Sequence, residues 1–141
     1  MKTLEENKKL VQSYVERVWN QGDLAALKSL TTTDFTYLIG GQPARNLSGM
    51  EQFITDTHVA FPDWRIEIVE ILAEGKKVVI RWQGQVTHRG VFNGVPPTGK
   101  RIAVSGINIY QIEGGKISLE WEQTDTVGML LQMGILSNRT K

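Results

Sequence analysis

The residue whose type and position best suit acid–base chemistry is Asp125, at the end of the last predicted strand. Side chains alternate between the two faces of a strand. One face therefore carries Ile117, Leu119, Trp121, Gln123 and Asp125. The opposite face carries Ser118, Glu120, Glu122, Thr124 and Thr126. The first set is mostly apolar, so we expect it to face the core or a pocket, with Asp125 where the apolar face ends.

A carboxylate at the end of an apolar face loses hydration, and this loss raises its pKa toward the value that a general base needs. Asp125 is therefore predicted to remove a proton from carbon and return it to oxygen. The alternative is a structural role, in which Asp125 caps a following helix by accepting backbone N–H groups at Val127 and Gly128.

A second candidate for chemistry is His88, which shares a strand face with Trp82 and Val86 and precedes a loop rich in Gly and Pro. One interpretation is that His88 anchors this loop through hydrogen bonds. The other is that it donates to a substrate carbonyl or pairs with Asp125.

Gln111 is an amide on an otherwise apolar strand face, which it shares with Ile107 and Ile109. A buried amide requires hydrogen-bond partners. Gln111 is therefore predicted to bond either a substrate oxygen or a neighbouring side chain. Asn108 and Tyr110 fall on the opposite face, and we predict no role for them.

Aromatic side chains are numerous enough to line a pocket for a flat, apolar ligand. The rings predicted to bind substrate are those of Tyr14, Phe35, Trp64 and Trp121. Tyr14 is favoured because its hydroxyl needs a partner, and Trp121 because it shares a face with Asp125. The alternative is that these rings fill the core, as aromatic residues usually do.

Composition limits the remaining chemistry. The 141 residues, 40% of them hydrophobic, match one domain spanning 1–141. The absence of Cys excludes disulfides and thiolate chemistry, and with only His58 and His88 available we predict no metal site. A net charge of +1 without a basic stripe argues against nucleic-acid binding.

Targeting signals are not evident in the sequence. The amino-terminal residues are polar and acidic, unlike a signal peptide, and the apolar runs are far shorter than a membrane span. We therefore expect a cytoplasmic protein without membrane contact.

Helix signals occupy the first part of the chain. Thr3 with Glu6, and Ser48 with Glu51, have the spacing of a capping box, and Asp23 is placed to cap a short helix between them. The first helix is predicted to end at 20–22, and the one after Ser48 at Pro62. A short helix or turn is expected around 129–132.

Strand patterns follow from Trp64 onward, with turn signals at 74–75 and 114–115. The predicted strands are Arg65–Ala73, Lys77–His88, Arg101–Ile112 and Lys116–Thr126. Helices followed by antiparallel strands indicate an α+β fold rather than alternating α/β. The simplest packing is a curved sheet over the helices, which makes a cone with an apolar interior.

Several segments resemble motifs of the SnoaL-like polyketide cyclases, in the nuclear-transport-factor-2-like superfamily. The central segment is THRGVFNGVPPTGK at 87–100. The others are VWNQGD at 18–23, AFPD at 60–63, GKI at 115–117 with Trp121, and DTVGMLLQMG at 125–134. Their order covers nearly the whole chain, which makes the resemblance more specific than any one motif.

The resemblance implies a cone-shaped α+β fold with a pocket between the sheet and the helices, and dimerisation through the sheet. It implies an aldol-type ring closure on an apolar, carbonyl-containing polyketide, without metal or organic cofactor. Asp125 matches the aspartate that serves as catalytic acid/base in such cyclases.

Two alternatives to a cyclase remain open. The same superfamily contains limonene-type epoxide hydrolases, which add water by means of an Asp-Arg-Asp array, but Gln111 stands where an arginine would be expected. The second alternative is a non-catalytic small-molecule-binding or dimerisation module. It is favoured because Gln111 and Leu38 occupy positions that are often ionisable in the family.

Overall fold

The structure is a computed structural model, which describes residues 3–136. The helices are α1 (Leu4–Tyr14), which continues as a π-helical segment (Val15–Asn20), α2 (Leu24–Leu30), α3 (Leu47–Ala60) and α4 (Thr126–Met133). The strands are β1 (Thr31–Ile39), β2 (Ile66–Glu74), β3 (Lys77–Thr87), β4 (Arg101–Glu113) and β5 (Lys116–Thr124).

The helix starts follow from side-chain caps. Thr3 and Glu6 form the predicted capping box of α1, and Asp23 caps α2 by accepting the backbone N–H of Ala26. The predicted start of α3 at Ser48 is wrong. Asn46 is the cap, with its side-chain oxygen 2.9 Å from the backbone nitrogen of Gly49. Asn caps helices as well as Ser does, so helical structure begins two residues earlier than the Ser48 pattern indicates.

The five strands form one mixed sheet in the order β1-β5-β4-β3-β2. The four predicted strands are confirmed, and their neighbours pair antiparallel. The sequence pattern gave no prediction for β1, which lies parallel to β5 at one edge. The register of β1 shifts between Thr31 and Thr36, so its inward residues do not follow a regular period of two.

A bulge in β5 decides which side chains face the core. Gln111 of β4 pairs with Leu119, but the next residue, Ile112, pairs with Ile117, so Ser118 is an extra residue in β5. The hydroxyl of Ser118 lies 3.3 Å from the carbonyl oxygen of Gln111 and fits this irregular pairing. An extra residue moves every side chain beyond it in the strand to the opposite face of the sheet.

The predicted faces of β5 are therefore wrong beyond Ile117. The inward residues after the bulge are Glu120 and Glu122, which are buried. Leu119 and Trp121 lie on the outer face.

The helices pack on the inner face of the open, curved sheet, which confirms the predicted cone-shaped α+β fold. The core is continuous and rich in rings, with Tyr14, Phe35, Tyr37, Phe61, Trp82 and Tyr110 among its fully or almost fully buried side chains. None of the helices described within 3–136 is long and apolar enough to cross a membrane.

Candidate functional site

A fully buried carboxylate, Glu120, lies at the centre of the cone. It accepts four hydrogen bonds: one oxygen from the Tyr14 hydroxyl at 2.7 Å, and the other from Trp19 Nε1 at 2.9 Å, Asn108 Nδ2 at 2.9 Å and the Tyr110 hydroxyl at 2.7 Å. Every partner donates, as the ionised form of a carboxylate requires.

The π-helical segment brings two of these donors to the same carboxylate. Tyr14 ends α1, and Trp19 lies five positions further along the chain. In an α-helix, side chains five positions apart point in different directions, but the wider i→i+5 turn of a π-helix brings them closer to one face. Asn20 fixes the end of this segment, since its amide exchanges hydrogen bonds of 2.9 and 3.0 Å with the backbone of Ile66 in β2.

A second carboxylate, Glu122, lies two residues further along β5. One of its oxygens is 3.2 Å from Asn108 Nδ2, and the other accepts a short hydrogen bond from the Thr124 hydroxyl. Glu122 is 8% exposed, whereas Glu120 is 0% exposed. Glu122 is therefore the member of the pair that reaches the open part of the interior.

Burial raises the pKa of both carboxyl groups. Burial and the neighbouring Glu122 carboxylate raise the pKa of Glu120 from its ordinary 4.5 to about 7, against the lowering effect of the bonds from Tyr14, Tyr110 and Trp19. Burial also raises the pKa of Glu122. Because ionisation of one group opposes ionisation of the other, the two titrate as a coupled pair that holds a proton until near neutral pH.

Glu122 lines a small cavity of about 50 Å³ inside the cone. The apolar walls of the cavity are Trp19, Ile39, Phe53, Phe61, Trp64, Phe92 and Met129. Its polar lining consists of Gln42, Thr57, Asn93, Glu122, Thr124 and Thr126. The cavity thus combines mainly apolar walls with a few polar groups, as small-molecule sites do.

One buried donor at this cavity is unpaired. Among the described residues, the buried Trp64 Nε1 has no hydrogen-bond partner, and Trp64 is a wall of the cavity. The buried Tyr37 hydroxyl lies against the Glu122 carboxylate, although the geometry of this hydrogen bond is poor, and burial together with that carboxylate raises the pKa of Tyr37. Buried donors without partners are uncommon and are candidates for ligand binding.

Asp125 does not lie where its strand pattern predicts. It is exposed at the end of the sheet and caps α4, accepting the backbone N–H of Gly128 at 2.9 Å. The prediction that it is desolvated on an apolar face is wrong, because the bulge in β5 moves it out of the interior. The structural alternative, a helix cap, describes its observed contact.

Gln111 and Trp121 also lie on the outer face of the sheet. Gln111 is half-buried and donates a hydrogen bond to Glu113 at 3.2 Å. The Lys77 ammonium lies over the ring of Trp121, 5.4 Å from its centroid. Trp121 lies outside the predicted pocket because the bulge in β5 turns it outward. Gln111 lies outside it because the apolar face of β4 that it shares with Ile107 and Ile109 is the outer face. Its contact with Glu113 matches the alternative in which Gln111 bonds a neighbouring side chain. Leu38, which pairs with Trp121, is on the outer face too, so its apolar character removes no ionisable group from the interior.

His88 is fully buried, and its contacts match the loop-anchoring interpretation. Its Nδ1 lies 3.0 Å from the Thr98 hydroxyl and accepts the Thr98 backbone N–H at 3.3 Å. The Nε2 atom is buried without a partner in the described part of the chain, and the ring packs 5.7 Å from that of Phe61. His88 and Asp125 are not brought together by any hydrogen bond or ion pair within residues 3–136.

Of the aromatic residues predicted to bind substrate, only Trp64 lines the cavity. Tyr14 is buried against Glu120, and Phe35 packs 6.5 Å from the Tyr14 ring as part of the core. Sequence reasoning missed the acidic pair, with Asn108 and Tyr110 beside it on β4. The sequence did contain one signal for this pair, namely an acidic residue on each side of Trp121. These acidic residues pair with a strand on which the corresponding positions are Asn108 and Tyr110 rather than aliphatic residues.

A glycine on β4 makes room for the indole of Trp82, whose Nε1 donates to Asn108 Oδ1 at 2.8 Å. A Cβ atom on Gly106 would lie 2.6 Å from the Gln123 carbonyl oxygen and would overlap the Trp82 ring. We expect Gly106→Ala to lower the free energy of unfolding by about 1–3 kcal/mol, because the ring must move out of a packed position.

Urea unfolding, followed by tryptophan fluorescence, measures this effect. Ser105→Ala, an exposed change on the same strand, is the control. An unchanged unfolding midpoint for Gly106→Ala would show that Trp82 has space to move.

A larger open groove of about 710 Å³ runs along the edge strand β2. Four of its charged side chains form two ion pairs, Arg65 with Glu16 at 3.0 Å and Arg101 with Asp63 at 3.5 Å. We place the candidate site at the smaller cavity because a desolvated carboxylate, Glu122, and an unpaired donor, Trp64 Nε1, both belong to residues that line it. Within residues 3–136 no group of three or more His, Cys, Asp or Glu side chains is arranged to hold a metal ion.

Solved structures with the same architecture define the class of protein. AclR from Streptomyces galilaeus, a proposed hydroxylase, is 27% identical with a TM-score of 0.86, over 99% of this chain and 91% of that chain. IdmH from Streptomyces antibioticus, a proposed polyketide cyclase, is 28% identical with a TM-score of 0.79, over 91% and 98%. A protein of Catenulispora acidiphila with a ketosteroid isomerase-like fold, solved with trimethylamine, is 16% identical with a TM-score of 0.77, over 94% and 98%.

These likenesses show that the chain has a cone-shaped α+β fold of the ketosteroid isomerase-like, or nuclear-transport-factor-2-like, type. The family model of the SnoaL-like polyketide cyclases matches residues 9–133. The chain therefore belongs to the SnoaL-like polyketide cyclase family, which supports a cyclase-type role. No curated protein matches it.

Proposed function

We propose that the protein catalyses proton transfer at a carbon atom next to a carbonyl group of an apolar substrate, as the first step of an aldol-type ring closure. Glu122 is the general base, and no cofactor takes part. The observation that supports this most directly is a buried carboxylate, Glu122, in the wall of a mainly apolar cavity that is also lined by Trp64, whose buried Nε1 has no partner among the described residues.

The chemistry of each group fits such a reaction. The Glu122 carboxylate takes the α-hydrogen as a proton, and the electron pair moves to the carbonyl oxygen to give an enolate. Trp64 Nε1–H donates to that oxygen as its charge develops. The enolate carbon then attacks a second carbonyl of the same molecule, and the proton held by Glu122 returns to the new alkoxide.

The raised pKa of Glu122 favours this role. A carboxylate whose pKa is raised takes a proton more strongly than one with an ordinary pKa. Glu120 supports this role through its charge. Four donors form hydrogen bonds to its carboxylate, and the negative charge on that carboxylate opposes full ionisation of the pair.

The size of the cavity limits how substrate is bound. A volume of about 50 Å³ is much smaller than the ~300–1,000 Å³ of typical ligand sites. Only the reacting end of a substrate fits beside Glu122 without a change of shape. The rest has to lie at the rim near Gln42 and Asn93, or displace the loops that carry these residues.

Exchange of α-hydrogens for deuterium tests the proposal without a known natural substrate. The probe is 2-tetralone, an apolar ketone with relatively acidic α-hydrogens, followed by proton NMR in D₂O. We expect the protein to accelerate exchange above the buffer rate in a saturable manner. An exchange rate equal to that of buffer containing the heat-unfolded protein would contradict the proposal for this substrate class.

We also propose that the protein is a homodimer that pairs through the outer face of the sheet. An apolar row crosses four strands there, in the pairing order Val79, Ile109, Trp121 and Leu38. Ile107 and Ile109 are 49% and 36% exposed, and they line a groove together with Leu38 and Trp121. Contiguous exposed apolar surface of this kind is typical of protein–protein contacts.

Ile109→Glu is expected to convert the dimer to a monomer, because two buried carboxylates would face each other without partners across the interface. Sedimentation velocity should change from twice the chain mass of 15.8 kDa to that mass itself. Val69→Glu, an exposed change on the edge strand β2, serves as the control and should leave the mass unchanged. A wild-type protein that sediments as a monomer at high concentration would refute the dimer.

A further inference from the structure

We propose that Asn108 is a positioning residue, locked by Trp82, that joins Glu120 to Glu122 and holds the Glu122 carboxylate toward the cavity. This inference rests on the proposed function of Glu122. It concerns a residue for which the sequence pattern predicted no role.

The Asn108 amide contacts both carboxylates with one nitrogen atom. Its Nδ2 lies 2.9 Å from an oxygen of Glu120 and 3.2 Å from an oxygen of Glu122. The same nitrogen also lies 3.3 Å from the Tyr110 hydroxyl, which is the longest of its three contacts. Because the amide nitrogen carries two hydrogens, we assign one to each carboxylate. Asn108 is 2% exposed and stands directly opposite Glu122 in the β4–β5 register, so water cannot easily substitute for it.

Trp82 determines which way the amide points. Its indole Nε1 donates to Asn108 Oδ1 at 2.8 Å. If the amide were reversed, its oxygen would face two carboxylates, and its nitrogen would face the indole N–H, which can only donate. Both contacts would be repulsive, so the observed orientation is the one that satisfies all the groups.

Within residues 3–136, no other group takes this bridging position. The remaining polar groups around the pair are Tyr14 of α1, Trp19 of the π-helical segment, Tyr37 of β1, Tyr110 of β4 and Thr124 of β5. Among the described residues, Tyr14, Trp19 and Tyr110 bond only Glu120 of the two, and Thr124 bonds only Glu122. Asn108 alone in this set donates to both carboxylates.

The first test measures the carboxyl groups themselves, without substrate. In protein labelled with ¹³C at the glutamate carboxyl carbons, Glu120→Gln and Glu122→Gln assign the two signals. A hydrogen bond to an ionised carboxylate stabilises the charged form. Asn108→Leu should therefore raise the titration midpoint of Glu122 by about one unit. Trp82→Phe should move it in the same direction by less, because the amide remains but is no longer locked.

A matched control separates positioning from stability. Ile102→Ala removes a buried side chain from the same face of β4, and Ile102 makes no side-chain hydrogen bond to either carboxylate. It should lower stability and leave both titration midpoints in place. If Asn108→Leu and Trp82→Phe behave like Ile102→Ala in this titration, Asn108 is merely structural and the inference falls.

The second test uses the exchange of 2-tetralone. Asn108→Leu should lower kcat at least tenfold with KM changed by less than about twofold, since the base is misaligned while the apolar walls are intact. If Glu122→Gln abolishes exchange but Asn108→Leu does not alter kcat or its pH midpoint, the proposed function stands and the positioning role is refuted. If Glu122→Gln retains exchange, the proposed function fails, and the substrate-free titration still decides whether Asn108 tunes the pair.

Discussion

Glu122→Gln is expected to reduce the rate of enzyme-catalysed α-hydrogen exchange by at least about 100-fold, the usual contribution of a general base. The change replaces one carboxylate oxygen by an amide group and keeps the size of the side chain. Glutamine has no basic oxygen at neutral pH, so the first proton transfer has no acceptor at the cavity wall. The measurement is kcat/KM for 2-tetralone in D₂O.

The pH dependence of this reaction gives a second readout. The wild-type rate should rise with pH as the coupled pair loses its proton, with an apparent midpoint above the ordinary glutamate value of 4.5, because burial raises the pKa of Glu122. Any residual exchange by Glu122→Gln should lack this midpoint and follow the rate of hydroxide-catalysed exchange.

Two further variants make the result specific. Glu74→Gln, the same change on an exposed strand end, should leave exchange unaltered. Asp125→Asn decides between the structure and the strand pattern, and asparagine still caps α4, so folding is preserved. Loss of exchange in Asp125→Asn together with full activity in Glu122→Gln would overturn the assignment of the base.

Glu120→Leu is expected to lower the free energy of unfolding by about 3–5 kcal/mol, as is usual when one side of a buried charged network is removed. The leucine leaves the N–H of Trp19 and one N–H of Asn108 without an acceptor in the core. The hydroxyls of Tyr14 and Tyr110 lose their acceptor as well. Urea unfolding at a fixed pH provides the measurement.

Glu120→Gln is the matched variant and should be tolerated much better. Its carbonyl oxygen can occupy the site that accepts from Trp19, Asn108 and Tyr110. Its amide group can donate to the Tyr14 oxygen, because a hydroxyl both donates and accepts. A loss of stability in Glu120→Gln as large as that in Glu120→Leu would show that the charge, rather than hydrogen-bond matching, holds the network.

The wild type and Glu120→Gln together test the effect of the raised pKa of Glu120 on stability. Because the pKa of Glu120 is about 7 in the folded protein and 4.5 ordinarily, the native state binds more protons than the unfolded chain between these values. The free energy of unfolding of the wild type should therefore fall as pH rises from about 4.5 to about 7, and level off above.

In Glu120→Gln this fall should become shallower, and only the contribution of Glu122, which has the same sign, should remain. A wild-type stability that increases over this range would contradict the raised pKa of the pair.

Local signals in the sequence were sufficient for most of the elements. The capping box at Thr3 and Glu6, the cap at Asp23 and the turn glycines at 114–115 act over a few residues, so the sequence displays them directly. The strands β2 to β5 followed from the spacing of their apolar residues. The ordered motifs identified the family, and the family model confirms it.

The strand β1 was not predicted because its inward positions are irregular. Its inward rings, Phe35 and Tyr37, are preceded by the polar run TTTD at 31–34 and a break in register. Pairing with β5, more than 80 residues later in the chain, makes this segment a strand. Local propensity does not contain that partner.

The composition of the site was decided by tertiary structure alone. A single extra residue at Ser118 exchanges the faces of β5, so that Glu120 and Glu122 enter the core and Trp121 leaves it, with Asp125 beyond the strand as a helix cap. The sequence determined that two glutamates and an aspartate lie near the end of the last strand. It did not determine which of them is buried, because a bulge is set by pairing with β4 and by the donors that Glu120 meets, and both are contacts between residues distant in the chain.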